Sequence, residues 1–311
     1  MDQIYHHLKQ FGKVKLNEPL AKHTTFKIGG PADYFIVVEE REKLVELLNY
    51  LSGEGIDYFI LGGGSNLLIS DEGMRAAVIQ LKFGRIEFTR EKEAEAEAGA
   101  LLSQLVNMAA AEGLSGLGWA AGIPGTIGGA ARGNTGAMGY HTAGAIAKVE
   151  VWRDGEVLVL DRQDCEFGYR DSAFKHNRDV ILRVWLVFKK ADKGELAKEI
   201  QYNISCRTNQ PKGYSAGCFF KNINLPNWPG NVNELPEIFK KRGTVPVGWL
   251  MEQVGMKGKK KGDAQVGVEH GNFIVNLGKA KANDVLALVE EIKIKVYDMF
   301  GVELEEEVEI V

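Results

Sequence analysis

A chain of 311 residues is long enough for two or three domains with a large buried core. Its 45% hydrophobic and 26% charged residues are those of a globular protein and exclude a disordered one. A net charge of −4 and a pI near 6.0 argue against nucleic-acid binding, because no overall basic field is present to hold a phosphate backbone.

Residues 1–20 read as a short helix and a connector ending at Pro19. The next stretch, AKHTTFKIGGPAD at 21–33, mixes polar residues with a Gly-Gly-Pro turn, and its His23, taken alone, reads as a structural histidine. An apolar β-type run follows at 34–38, and Leu44, Leu47, Leu48 and Leu51 then fall at helical spacing before Gly53. The apolar run that opens YFILGGGSNLLISD at 58–71 feeds Gly62, Gly63 and Gly64, then Ser65 and Asn66. The order strand, helix, strand, glycine turn indicates an α/β subdomain.

From Ala76 the chain turns strand-rich, and glutamates at 93, 95 and 97 alternate with alanines as in a strand with one solvated face. A helix at 101–112, stopped by Gly113, leads into GLGWAAGIPGTIGGAARGNTGAMG at 116–139. Strands are expected at 149–151, 157–160 and 180–188, with Asp154-Gly155 as a hairpin turn. The polar run at 192–194 suggests a domain boundary, followed by a helix at 195–206. Five prolines, Pro211, Pro226, Pro229, Pro236 and Pro246, then mark an irregular stretch. A short helix at 247–254 and a buried strand at 273–276 precede a helix capped by Asn283 or Asp284, with Val285, Leu288, Val289, Ile292, Val296 and Phe300 as its stripe and Gly301 as its stop. The chain closes on a strand containing Leu304, Val308 and Ile310. No signal-type start and no run of 18 apolar residues occurs, so a soluble, cytoplasmic protein is expected.

The stretch at 116–139 holds nine glycines in 24 positions, a density that costs backbone entropy. Such a loop either packs tightly or lays its backbone against a flat or charged ligand, where successive N–H groups can bind an anion without basic side chains. Pro124, Trp119, Ile123 and Ile127 give it stiffness and apolar anchors. Neither glycine cluster is a G-x-G-x-x-G fingerprint or a P-loop, and two separate clusters suggest one extended phosphate-bearing ligand. Cys165, Cys206 and Cys218 have no C-x-x-C spacing, which fits a reducing compartment and neither a disulfide framework nor zinc. The six histidines form no metal motif, so no metal is expected. Arg170, in FGYRDSAF, is either a partly desolvated cation poised for a carboxylate or a surface partner of Asp171. Cys218, in SAGCFFKN, reads alone as a small hydrophobe, Glu307 as part of a solvated acidic tail, and KGKKK at 257–261 as a solvated loop.

Together these stretches resemble one family, the UDP-N-acetylenolpyruvoylglucosamine reductases (MurB) of bacterial peptidoglycan synthesis. The matching residues are Asn17–Leu20 with HTTFKIGG at 23–30, LGGGSN at 61–66, AGIPGTIGGA at 121–130, YRDSAF at 169–174, RTNQP at 207–211, AGCFFKN at 216–222 and LEEEV at 304–308. They span the chain in family order, and the lack of a long insertion in the second half resembles the shorter, type II form. The resemblance implies a mixed α+β and α/β architecture: a two-subdomain FAD-binding domain of PCMH type plus a third, α/β substrate-binding domain. The boundaries expected are an N-terminal extension at 1–20, the FAD-binding domain at 21–190 (subdomains about 21–80 and 81–190), the substrate domain at 191–302, and a C-terminal strand at 303–311 returning to the FAD site.

The family also implies a non-covalent FAD, NADPH as reductant and UDP-N-acetylglucosamine enolpyruvate as substrate, in a monomer without nucleic-acid or membrane partners. The cofactor-binding residues carried over are Gly62, Gly63, Gly64, Ser65, Asn66, Gly122, Ile123, Pro124, Gly125, Thr126, Gly128, Gly129, Ala130 and Gly136. Arg170 and Glu307 are implied to stabilise an enolate-like intermediate, which requires Glu307 to be protonated and therefore raised in pKa by burial. Arg207, Lys221, Asn222 and Gln265 are implied substrate contacts. One position departs from the pattern: Cys218 stands where the family most often has a serine as proton donor. A thiol is the stronger acid, so the role is carried over to Cys218, and thiol oxidation becomes a vulnerability if it is accessible. Two other readings share the glycine loops: another PCMH-type FAD oxidoreductase acting on a hydroxy acid or alcohol, with no reason to keep Arg170, Cys218 and Glu307 in these contexts, and a non-catalytic nucleotide-binding protein, which NADPH-driven flavin reduction would argue against.

Overall fold

The computed structural model describes residues 3–89 and 92–311, so the first two residues of the expected N-terminal extension and residues 90–91 of the expected second subdomain lie outside the described residues. The chain divides into two compact units, each assembled from segments distant in sequence. The first comprises Met1–Glu18, Ala32–Gly63 and Met74–Thr208, the second Pro19–Pro31, Gly64–Gly73 and Asn209–Val311.

The two larger sheets of the first unit have four and five strands. In one, the strands follow the order Lys13–Pro19, Pro31–Val38, Met74–Leu81, Tyr58–Leu61, and Met74–Leu81 runs parallel to both of its neighbours. Its residues Ala77, Val78 and Ile79 are fully buried, as a parallel strand covered on both faces requires. The helix Arg41–Gly53 joins Pro31–Val38 to Tyr58–Leu61, and Leu44, Leu47, Leu48 and Leu51 are all at 0% exposure. Each such leucine contributes about 1.5–3 kcal/mol of burial. The other sheet is antiparallel, in the order Glu156–Asp161, Ile146–Arg153, Val180–Val187, Glu93–Glu97, Ile86–Phe88. Asp154 and Gly155, at φ 47° and 96°, close its hairpin with Arg153 opposite Glu156, the left-handed pair that matches strand twist. Ala94 and Ala96 are buried between the glutamates, as their alternation predicts.

The polar run at 192–194 is the start of the helix Lys193–Ser205: Asp192 Oδ1 accepts from the Glu195 amide at 3.0 Å. That helix stays with the first unit, which continues to Thr208. Its buried Asn203 donates to Gly118 O at 3.2 Å, tying it to the glycine-rich stretch.

The second unit is built around the helix Ala282–Phe300, whose Val285, Leu288, Val289, Ile292 and Val296 pack with Phe26, Phe219, Phe220 and Leu250 in one core. The helix starts earlier than the expected caps. Asp284 is its third residue and accepts from the Lys281 amide at 2.9 Å, while Asp71 accepts from the Ala282 and Asn283 amides at 3.0 and 3.3 Å. A three-stranded antiparallel sheet of Lys260–Lys261, Ala264–Val266 and Ile274–Asn276 lies in this unit. The C-terminal Glu309–Ile310 pairs in parallel with Leu67–Leu68, directly after the glycine turn.

Candidate active site

In the first unit the two glycine turns touch through their backbones. A Cβ on Gly63 would stand 2.9 Å from Gly125 Cα, and one on Gly62 2.6 Å from Thr126 Oγ1. No side chain fits there, and that requirement explains both glycines. Thr126 caps the short helix Ile127–Arg132 by accepting from the Gly129 amide at 3.3 Å, while the Ile127 and Gly128 amides donate to Ala100 O and Ala98 O at 2.8 and 2.9 Å. These bonds clamp the loop to the strand edge and leave the helix N-terminus satisfied. Among the described residues, the amides of Gly62, Gly63, Gly125 and Thr126 donate to no backbone carbonyl. Four neutral N–H donors gathered at two touching turns are a donor set suited to a pyrophosphate. Gly122, Ile123, Pro124 and Ala130 lie on this same loop and helix, while Gly64, Ser65 and Asn66 belong to the second unit.

Arg170 sits in the first unit at the tip of a tight turn closed by Gly168 N to Asp171 O at 3.0 Å. Its φ of 56° is left-handed, unusual for arginine and a form of strain that clusters at functional sites. Two buried polar side chains hold the turn: Asn134 donates to Gly168 O at 2.6 Å and Ser172 to Arg132 O at 2.6 Å. Lys175 Nζ donates to Arg170 O at 2.7 Å, and the guanidinium lies over the Tyr169 ring at 5.6 Å. Gly136 packs beneath it, so that a Cβ there would stand 2.8 Å from Arg170 Nη1 and 2.5 Å from Tyr140 O. Asp171 pairs with His176 at 2.9 Å, which holds its carboxyl below its ordinary range against the opposing effect of burial.

In the second unit the Cys218 segment lies between two others. Cys218 bridges Phe273, and Phe220 bridges Glu306. Phe219 O accepts from the Glu307 and Val308 amides at 2.8 and 3.3 Å, while Lys221 N donates to Glu305 O at 2.9 Å. A partly exposed thiol and a half-buried carboxyl thus sit on adjacent, hydrogen-bonded backbone segments. Asn66, from the LGGGSN stretch, donates to Glu307 O at 2.9 Å and accepts from Glu309 N at 3.0 Å. By contrast, Cys165 is buried, which pushes its thiol up to about 11 and disfavours the reactive thiolate, and Cys206 is exposed.

The remaining candidates have structural partners. Lys221 pairs with Glu305, Asn222 accepts from Val247 N at 3.1 Å, and Gln265 donates to Gly258 O at 3.1 Å. Arg207 belongs to the first unit and braces the glycine-rich stretch, donating to Asn203 O at 2.7 Å and Trp119 O at 3.0 Å; burial lowers its pKa. Sequence reading did not single out Asn134, Ser172, Asn272 or Asn276. Their one signal is a polar residue inside an apolar or glycine-rich run, as in GNFIVN, and all four are at 4% exposure or less.

The chain is similar to known proteins over its whole length. Residues 32–160 match the family model "FAD binding domain", and residues 209–311 match that of "UDP-N-acetylenolpyruvoylglucosamine reductase, C-terminal domain". It is 39% identical to the UDP-N-acetylenolpyruvoylglucosamine reductase of Caldanaerobacter subterraneus subsp. tengcongensis, over 100% of this chain and 97% of that protein. It is 36% identical to the Bacillus subtilis protein of the same name, over 100% and 99%. Among solved structures, the UDP-N-acetylenolpyruvylglucosamine reductase (MurB) of Thermus caldophilus superposes with a TM-score of 0.76 at 37% identity, covering 96% of this chain and 98% of that one. Among the described residues no helix is long and apolar enough to cross a membrane.

Proposed function

Because the chain belongs to the UDP-N-acetylenolpyruvoylglucosamine reductase family, with its FAD-binding fold, we propose that it reduces UDP-N-acetylglucosamine enolpyruvate to UDP-N-acetylmuramate with NADPH. The observation that carries this reading is the pairing of the Cys218 segment with the Glu307 segment, which brings a thiol and a carboxyl onto neighbouring backbone. When bound, FAD would supply the two-electron chemistry that links NADPH oxidation to reduction of the enolpyruvyl ether at its methylene carbon.

The chain's own residues do the rest. The amides of Gly62, Gly63, Gly125 and Thr126 would hold the FAD pyrophosphate, and being neutral they would do so at any working pH. Hydride arrival places negative charge on the carboxylate-bearing end of the substrate. Arg170, braced by Asn134, Ser172 and Lys175, stabilises that charge without having to move. Glu307, in its acid form, donates a hydrogen bond to the same charge. The Cys218 thiol then gives its proton to the adjacent carbon; the resulting thiolate regains a proton from solvent, and substrate has gained one hydride and one proton. A thiol of ordinary pKa near 8.5 is protonated at neutral pH and a stronger acid than the alcohol of serine. Lys221, Asn222, Gln265 and Arg207 are proposed to orient the sugar nucleotide. The monomer is the proposed acting unit and the cytoplasm, where NADPH and UDP-sugars are found, its proposed compartment.

The test is anaerobic stopped-flow absorbance of the FAD-loaded protein, with NADPH added first and the enolpyruvyl substrate second. Bleaching followed by recolouring is expected. Bleaching without recolouring would reject the substrate, and a protein that cannot be loaded with FAD would reject the cradle.

A further inference from the structure

Asn272 makes three hydrogen bonds to the two residues that follow Cys218. Its main-chain carbonyl accepts from Phe219 N at 2.7 Å. Its side-chain Oδ1 accepts from Phe220 N at 3.0 Å, and its Nδ2 donates to Phe220 O at 2.8 Å. The carboxamide therefore replaces a neighbouring strand for Phe220, satisfying donor and acceptor together. Asn272 is 2% exposed, and Phe219 and Phe220 are at 1% and 0%, so no water competes for these bonds. The Asn272 amide is itself fixed, donating to His270 Nδ1 at 3.2 Å, and burial lowers the His270 pKa, favouring the neutral ring that can accept it.

The segment needs such a clamp. Cys218 and Phe220 are held by isolated bridges to Phe273 and Glu306, outside any named strand. In extended backbone a slip of one residue turns every side chain to the opposite face. Backbone bonds of Phe219 and Lys221 to residues 305–308 hold one edge of the segment, and on the other edge the side chain that recognises both polar atoms of Phe220 fixes the register. We propose that Asn272 is a positioning residue for the proton donor: it locks the register of 218–220 and so sets the face on which the Cys218 thiol stands relative to Glu307. This rests on the proposed role of Cys218.

The test uses the FAD-loaded full chain with Asn272→Asp, which keeps the acceptor and removes the Nδ2 donor, and Asn272→Ala, which removes both. Two measurements are made: the rates of the two half-reactions, and the alkylation rate of Cys218 by iodoacetamide, resolved from Cys165 and Cys206 by mass spectrometry. Flavin reduction by NADPH should stay within about twofold, while reoxidation by substrate should fall on the order of 100-fold with a larger solvent deuterium isotope effect, the penalty of a misplaced reacting group. Cys218 alkylation should change severalfold. Equal losses in both half-reactions, or unchanged reoxidation and alkylation, would overturn the proposal. If the unaltered protein is not reoxidised by this substrate, the functional reading falls, and the alkylation comparison still decides the clamp. If neither variant folds, hydrogen exchange on the unaltered protein decides: the Phe219 and Phe220 amides must be among the slowest of the second unit, and rapid exchange there would refute the clamp.

Discussion

The Arg170 guanidinium is positioned as much by the absence of atoms at Gly136 as by the bonds around it. A methyl at Gly136 would stand 2.5 Å from Tyr140 O, a backbone atom that cannot swing aside, and 2.8 Å from Arg170 Nη1. Gly136→Ala therefore displaces the cation while leaving its charge and identity intact. If Arg170 acts on charge that develops only in the second half-reaction, reoxidation of the flavin by substrate should fall by about 10²–10³, the usual cost of losing one such donor. Reduction by NADPH should be little changed. Stopped-flow rates of the two steps check this, and equal slowing of both would show that the glycine serves folding or cofactor retention instead. For Asn134 and Ser172, the two hydrogen-bonded side chains under the turn, no local pattern names the partner, because the carbonyls they bind lie 34 and 40 residues away.

Among the secondary-structure elements, what local pattern can encode was legible and what distant pairing decides was not. Leu44, Leu47, Leu48 and Leu51 at helical spacing became the buried face of Arg41–Gly53, and Asp154-Gly155 became the hairpin turn. The position of Met74–Leu81 between Pro31–Val38 and Tyr58–Leu61 is set by contacts no local window contains. The same is true of the ion network that links the helix Arg41–Gly53 to the antiparallel sheet. Arg41 Nη1 lies 2.6 Å from Glu150 Oε1, with Arg183 Nε 3.9 Å from the same oxygen and Arg183 Nη1 2.8 Å from Glu95. The Glu150 side chain is 12% exposed, and its loss would leave Arg41 with Glu42 and Arg183 with Glu95 as their remaining partners. Losing a hydrogen bond to a charged group costs about 1.5–3 kcal/mol, and the carboxylates that remain place Glu150→Ala at the lower end of that range. Urea unfolding should show a lowered midpoint with an unchanged slope. An unaltered midpoint would mean that solvent already screens the network.

For the molecule as a whole, the match of residues 209–311 to a named C-terminal domain invites treating that stretch as a folding unit, and the second unit's core says otherwise. Phe26, Ile28 and Leu68 are at 0–2% exposure within that core, and all three lie outside 209–311. Buried Asn276 donates to Phe26 O at 3.0 Å, the C-terminal Glu309–Ile310 has Leu67–Leu68 as its strand partner, and Asp71 caps the helix Ala282–Phe300. Cutting the chain at 209 removes three core side chains, a strand pairing, a buried amide's acceptor and a helix cap together. The cap alone is worth about 1 kcal/mol and each core side chain about 1.5–3 kcal/mol, a sum comparable with the 5–15 kcal/mol that holds a whole domain folded. A fragment of residues 209–311 should therefore show helical far-ultraviolet circular dichroism with weak near-ultraviolet signal, bind a hydrophobic dye and melt without a cooperative transition. Adding peptides of residues 19–31 and 64–73 should restore part of the cooperativity. A sharp melting transition of the fragment alone would show that these two segments add to a core complete without them.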